Sequence, residues 1–255
     1  MENNWTSPPS APSPTVSSRK PFPITLTVIA ALGAAPVAVV PLLLYFVYLG
    51  ATHQIPAHPK MDQLPVDGVL LSQILSYLPL MAYMLPIVPY LAGRSLAQLG
   101  VRTPTLRELG IGVVGAVAMW LVVAVVSAVI ATLTRSHETE SAVALLRELR
   151  TTPQIIAFVA LAVAFAPLVE EFVFRLFLFN AIAAHSTKTI GIIASGIVFG
   201  LVHGLSATIA IPLAFGGMVL AIVYSKTNCY WSNVLTHALF NATSVVAVLV
   251  FHVAD

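Results

Sequence analysis

Glu170, Glu171 and Arg175 fall within six positions of one another inside an apolar stretch, and His203, His237 and Asn241 lie inside two further apolar stretches. Elsewhere the acidic residues (Glu2, Asp62, Asp67, Glu108, Glu138, Glu140, Glu148 and Asp255) keep to tails, loops and the ends of apolar runs. His53, His58, His137, His185 and His252 do the same. Five ionisable side chains therefore sit at membrane depth, all between positions 170 and 237. A charge at the centre of a membrane helix costs roughly 2.5–3.5 kcal/mol, so Glu170, Glu171 and Arg175 together cost on the order of 8 kcal/mol before pairing. Helix geometry offsets part of this. Glu171 and Arg175 are four apart and share a face, with Glu on the N-terminal side, the better order for an ion pair. Glu170 lies about 140° around the helix from Arg175. Arg175 then neutralises Glu171 and leaves Glu170 for another task. A lone ion pair would read equally well as glue between helices or part of an ion path. An unpaired carboxylate, two histidines and a buried amide beside it argue against that reading.

The pairs Phe199/His203 and His237/Asn241 are each four apart, so each shares a helix face. Asn241 then reaches toward the same cavity as His237, and Phe199 packs one turn before His203. These types suit peptide hydrolysis, which needs an activated water and a stabiliser for the developing oxyanion. Glu170 is the natural general base. His203 can hold the same water and later help protonate the leaving amine, and His237 and Asn241 can donate to the oxyanion. Glu170, His203 and His237 are also a ligand set known from zinc hydrolases, although spacings of 33 and 34 residues give no local HExxH-type signature. The reading without metal or other cofactor is preferred, because one carboxylate cannot easily both ligate and abstract a proton. With zinc on Glu170, Glu171 would be the only other carboxylate nearby. Ser195 and Ser206 have no base at helical spacing, which disfavours a serine nucleophile. The single cysteine, Cys229, excludes an internal disulfide and a CxxC metal site and reads as a small membrane residue.

The elements that must position these groups are membrane helices. Of 255 residues 58% are apolar and only 9% charged, against about 25% charged in soluble chains. The mean hydropathy is +0.92. The net charge of +2 is small and the basic residues are scattered, so nothing suggests nucleic-acid binding. With about 20 apolar residues per span, the expected spans are 24–50, 67–92, 109–134, 154–184, 189–205, 207–225 and 229–252. The fold class is thus an all-α, polytopic transmembrane bundle of seven spans, or eight if Pro167 breaks the fourth. Residues 1–23 read as a disordered polar tail. The first apolar run is too long for a cleaved signal and is expected to stay as a helix. Residues 24–149 hold the N-terminal spans and an amphipathic connector, Ser95 to Leu109, with Leu96, Leu99, Leu106 and Leu109 toward lipid. Residues 150–255 hold the catalytic core. Arg19, Lys20, Arg94, Arg102, Arg107, Lys188 and Lys226 fall on one side, which the positive-inside rule makes cytoplasmic together with the N-terminus. Lys60 and the loop carrying Arg135, Arg147 and Arg150 fall opposite. Gly216-Gly217 reads as a close helix contact or a kink.

Taken in order, the motifs resemble those of the CPBP intramembrane proteases, the CAAX proteases and bacteriocin-processing enzymes also called the Abi family. The family pattern is EExxxR, FxxxH and then HxxxN or HxxxB on successive membrane helices. Glu170, Glu171 and Arg175 fit the first, Phe199 and His203 the second, and His237 and Asn241 the third. The resemblance covers roughly residues 150–250. One departure is Leu176, where family members often carry Gly after the motif arginine. The resemblance implies an intramembrane endopeptidase in which Glu170 and His203 activate water while Glu171 and Arg175 support the site. It has been described both with and without metal. It implies a membrane-embedded or lipidated peptide or protein as substrate, a lipid bilayer as surroundings, and a multi-pass location in the cell membrane. A transporter would concentrate ionisable groups similarly but often shows two related halves. A silent immunity or scaffold protein is disfavoured because no motif residue is missing.

Overall fold

The computed structural model describes residues 21–55, 65–136 and 141–251, and among these it is built from helices and turns without strands. Most of the expected polar tail, Lys60, and residues 137–140 of the Arg135–Arg150 loop lie outside the described residues. The helices are α1 (Ile24–Ala51), α2 (Val66–Ala92), α3 (Leu106–Thr134), α4 (Ser141–Glu148), α5 (Thr152–His185), α6 (Lys188–His203), α7 (Ala207–Thr227) and α8 (Tyr230–Phe251). Six of them, α1, α2, α3, α5, α7 and α8, are long and apolar enough to cross a membrane. This is an integral membrane protein. The remaining expected span folds as α6, whose 16 residues give a length of about 24 Å, short of a hydrocarbon core about 30 Å thick.

Local signals set the helix ends. Thr105 and Glu108 form a reciprocal capping box at the start of α3, and Thr151 and Gln154 form another at the start of α5. Thr187 caps α6 by accepting from Ile190 N. α5 is one continuous helical run of 34 residues, so Pro167 does not divide it. Instead its backbone widens into π-helix at Ala160–Phe165 and Phe172–Phe179, on either side of the Glu170-Glu171 pair.

The expected amphipathic helix from Ser95 to Leu109 is not formed. Residues 95–105 are turns and extended chain, and α3 begins only at Leu106. Gly100 sits at φ +101°, where a Cβ would come 2.6 Å from the Asn228 carbonyl oxygen, and Pro104 disfavours helix before it. Leu99 enters the core at 2% exposure while Leu106 is 88% exposed, so the leucines do not share a face. The connector is strapped down by Tyr230 N donating to Gly100 O (3.0 Å) and Tyr224 Oη donating to Leu99 O (2.7 Å).

These bonds gather the helix ends. Phe22 N donates to Leu91 O (2.6 Å), and His185 Nε2 donates to Phe22 O (2.6 Å). The start of α1, the ends of α2, α5 and α7, and the start of α8 therefore share one end of the bundle. A core of Met84, Val88, Leu91, Phe172, Leu176, Phe177, Phe179 and Tyr224 lies behind the polar motifs. Leu176 is fully buried there, so the residue that departs from the family pattern fills core volume. α6 and α7 pack backbone to backbone. A Cβ on Gly200 would meet Ala210 O at 2.2 Å, and one on Gly217 would meet Phe199 Cβ at 2.9 Å. Small residues permit this approach, and it fixes the face of α6 that bears Phe199 and His203.

Candidate active site

Glu171 is fully buried, and both of its oxygens are engaged. Oε2 is paired with Arg175 Nε at 3.0 Å, one helical turn on. The same oxygen accepts from Asn233 Nδ2, on α8. Oε1 accepts from His237 Nδ1 at 2.8 Å. Asn233 stands one turn before His237, so Asn233, His237 and Asn241 form a single polar ladder on α8. Only the last two belong to a recognised motif. The i, i+4 step back from His237 was the signal for the first.

Arg175 is also fully buried. Its guanidinium carbon lies 5.1 Å from the Phe199 ring centroid and 5.8 Å from that of Phe174, within range of cation–π attraction. Phe199 connects the three motifs. Its ring is 4.4 Å from the His203 ring and 5.7 Å from that of His237, and its carbonyl accepts from His203 Nδ1 at 2.7 Å.

Each imidazole thus spends Nδ1 on the protein and turns Nε2 toward Glu170. His203 Nε2 lies 3.7 Å and His237 Nε2 3.8 Å from the same atom, Glu170 Oε2. A carbonyl can only accept, so His203 Nδ1 carries a proton, and in the neutral ring Nε2 is left as an acceptor. Glu170 Oε1 has a separate partner, the hydroxyl of Tyr77 on α2 at 2.5 Å. Sequence reasoning missed Tyr77, which lies far from the motifs in the chain.

Asn241 is held from the other side. Ala166 N donates to Leu161 O, five residues back, and Pro167 has no N–H to offer Ala162. The Ala162 carbonyl is taken instead by Asn241 Nδ2 at 2.7 Å. One amide N–H of Asn241 is therefore committed to the widened turn of α5, and the second remains.

Glu170, His203, His237, Asn241 and Tyr77 line a common cavity of about 950 Å³. Its other walls are largely apolar, with Ala34 and Ala38 of α1, Leu80 of α2, Val123 of α3 and Leu146 of α4 among them. That volume is at the upper end of the range of about 300–1,000 Å³ typical of small-molecule sites. Ser195 Oγ donates to Ile192 O, Ser206 Oγ pairs with Thr208 Oγ1, and Cys229 is buried.

Carboxylate and imidazole donors suit zinc by type, but tetrahedral bonds of about 2.0–2.2 Å set ligand atoms about 3.4 Å apart. The Glu170–imidazole separations are wider by a few tenths of an ångström. Among the described residues no group of three or more His, Cys, Asp or Glu is arranged to hold a metal ion.

Fold and site together define a helical membrane protein with an acid–imidazole centre enclosed by its spans. Residues 152–243 match the family described as type II CAAX prenyl endopeptidase Rce1-like. The three motifs all fall inside that stretch, and the resemblance to the CAAX proteases holds there. An uncharacterized protein of Mycoplasma capricolum subsp. capricolum (strain California kid) is 35% identical over 99 residues, which is 37% of this chain and 28% of the relative. The match thus spans just over a quarter of that relative. No solved structure matches.

Proposed function

We propose that this chain is an intramembrane endopeptidase that hydrolyses a peptide bond of a membrane-embedded or lipidated substrate, with Glu170 as general base. The observation that carries this reading is the convergence of Glu170 Oε2 with two imidazole Nε2 atoms, at 3.7 and 3.8 Å, in a largely apolar cavity. A water seated among them donates one O–H to Glu170 and the other to His203 Nε2. As its oxygen attacks the carbonyl carbon, its proton passes to Glu170. The oxyanion receives a hydrogen bond from the second N–H of Asn241, and from His237 Nε2 when that ring carries a second proton. The C–N bond then breaks as the amine nitrogen takes up a proton, with His203 assisting the transfer. Glu171 and Arg175 hold His237 and Phe199 in place and do not touch the substrate.

The apolar walls favour a substrate that brings its own hydrocarbon, either a membrane segment or a lipid-modified terminus. A prenylated C-terminal peptide, the substrate class in the family's description, fits these walls. The end of the bundle bearing Arg94, Arg102, Lys188 and Lys226 is assigned to the cytoplasm by the positive-inside rule, with the protein in the cell membrane.

A metal-independent reaction is part of the proposal. Zinc on Glu170 would leave Glu171 as the other carboxylate within reach, and both of its oxygens are already bonded. The test uses purified protein in proteoliposomes with a prenylated CAAX peptide and a panel of transmembrane peptides. Wild type cleaves at least one, Glu170→Gln cleaves none, and a chelator leaves the rate unchanged. Cleavage by Glu170→Gln would sink the base assignment, and loss of activity on chelation would sink metal independence. Ion flux abolished by Glu170→Gln, with no cleavage by wild type, would mark a transporter. Absence of both activities in wild type would mark a silent scaffold.

A further inference from the structure

The proposed base carries a second constraint, supplied from outside the matched stretch. Tyr77 lies on α2, lines the cavity, and places its hydroxyl 2.5 Å from Glu170 Oε1. The phenol O–H donates and the carboxylate accepts. The two oxygens of Glu170 therefore have different neighbours: Oε1 faces Tyr77, and Oε2 faces His203 and His237. The terminal torsion of a glutamate is broad and two-fold. Unless one oxygen is held, the carboxylate can turn, and neither oxygen keeps its aim at the imidazoles. A general base must stand within hydrogen-bond reach of the proton it takes, so the aim of Oε2 matters to the rate.

Packing alone does not account for the hydroxyl. The Tyr77 ring meets Phe165 edge-on, with centroids 6.0 Å apart, and a phenylalanine would keep that contact. α2 is tied to α5 independently by Gln154 Nε2 donating to Asp67 Oδ1 at 3.0 Å. The O–H of Tyr77 is directed at the carboxylate of Glu170.

We infer that Tyr77 is a positioning residue for the catalytic base: its hydroxyl holds Glu170 Oε1 so that Oε2 accepts the proton of the attacking water. This rests on the endopeptidase reading above. It extends the site to the N-terminal half of the chain, where the three motifs have no counterpart. α2 is then part of the machinery as well as a wall.

The experiment compares wild type, Tyr77→Phe, Phe165→Leu and Glu170→Gln in proteoliposomes, using the substrate cleaved by wild type. Tyr77→Phe should lower kcat by roughly 10- to 100-fold, the scale set by small misplacements of a reacting group, with KM within about twofold. Phe165→Leu loses the ring contact but keeps the hydroxyl, and its kcat should stay within about twofold of wild type. Wild-type kcat in Tyr77→Phe, alongside a dead Glu170→Gln, overturns the role of Tyr77 and leaves the endopeptidase standing. A change in KM alone also overturns it, since Tyr77 would then merely contact substrate. If wild type cleaves nothing, or Glu170→Gln remains active, the endopeptidase reading fails separately. In that event infrared difference spectra still decide the contact. The carboxylate stretch lost in Glu170→Gln should be shifted in Tyr77→Phe, and an unshifted band overturns the inference. Should Tyr77→Phe not fold, a fluorotyrosine at position 77 keeps size and hydroxyl while changing donor strength. Both kcat and the band should respond, and indifference of both overturns the inference.

Discussion

His237 Nδ1 lies 2.8 Å from Glu171 Oε1, so the second carboxylate of the EE pair orients the histidine that faces the first. The arrangement puts a buried anion, Glu171, beneath the site, and Arg175 is the cation that compensates it. Removing one member of a buried pair typically costs about 3–5 kcal/mol, because the other is left uncompensated. Arg175→Met should therefore destabilise the protein by about that amount, read by thermal or denaturant unfolding in detergent. Glu171→Gln/Arg175→Met should recover part of the stability without restoring cleavage. Equal stability of the single and double variants would show that the pair is not coupled.

Asn233 donates a hydrogen bond to Glu171 Oε2 from a fully buried position, beside the ion pair with Arg175. Asn233→Ala should cost about 1–3 kcal/mol, the usual penalty when a buried partner is removed. Asn233→Asp should cost more, since it sets a second carboxylate against Glu171. The two variants are ranked by unfolding midpoints, and the reverse order counts against this reading of the ladder.

At Gly200 α6 lies close against α7, with a Cβ position 2.2 Å from Ala210 O. Gly200→Ala should part the two helices and shift His203, at a cost of about 1–3 kcal/mol from overpacking. Because His203 ends the same helix, cleavage should fall by more than the lost stability explains. The check is the rate measured at a temperature where the variant remains fully folded.

Asn241 combines a structural bond to Ala162 O with the proposed oxyanion donor. Asn241→Ala should lower kcat by about 100- to 1,000-fold, the range for losing an oxyanion donor, with KM little changed. A pure rise in KM would remove Asn241 from the transition state.

Much of the site was legible because its chemistry is written at helical spacing. Glu171/Arg175, Phe199/His203 and His237/Asn241 are each one turn apart, and in lipid such groups have few places to go but inward. What stayed hidden depended on how helices meet. Tyr77 is 93 positions from Glu170, and nothing local to α2 shows which span it faces. The connector misled because Leu96, Leu99, Leu106 and Leu109 satisfy a helical pattern, while Gly100 and Pro104 override it through backbone geometry and close contact with α8. The fourth apolar stretch was readable as a helix. Its π-helical widening, which hands the Ala162 carbonyl to Asn241, was not, because it depends on where a proline leaves a carbonyl without a donor.

The brevity of α6 has a consequence for the lipid itself. A helix of about 24 Å that ends in His203 and Gly204 leaves that flank of the protein about 6 Å shorter than the surrounding hydrocarbon. Acyl chains there are expected to compress or tilt, and a resulting dimple in the leaflet would bring headgroups and their hydration toward the cavity. On this geometry water is expected to reach the cavity from the side of the molecule. Turnover should accordingly be faster in vesicles of short-chain lipids and slow as the chains lengthen, whereas a rate indifferent to chain length would mean that the dimple is not the route.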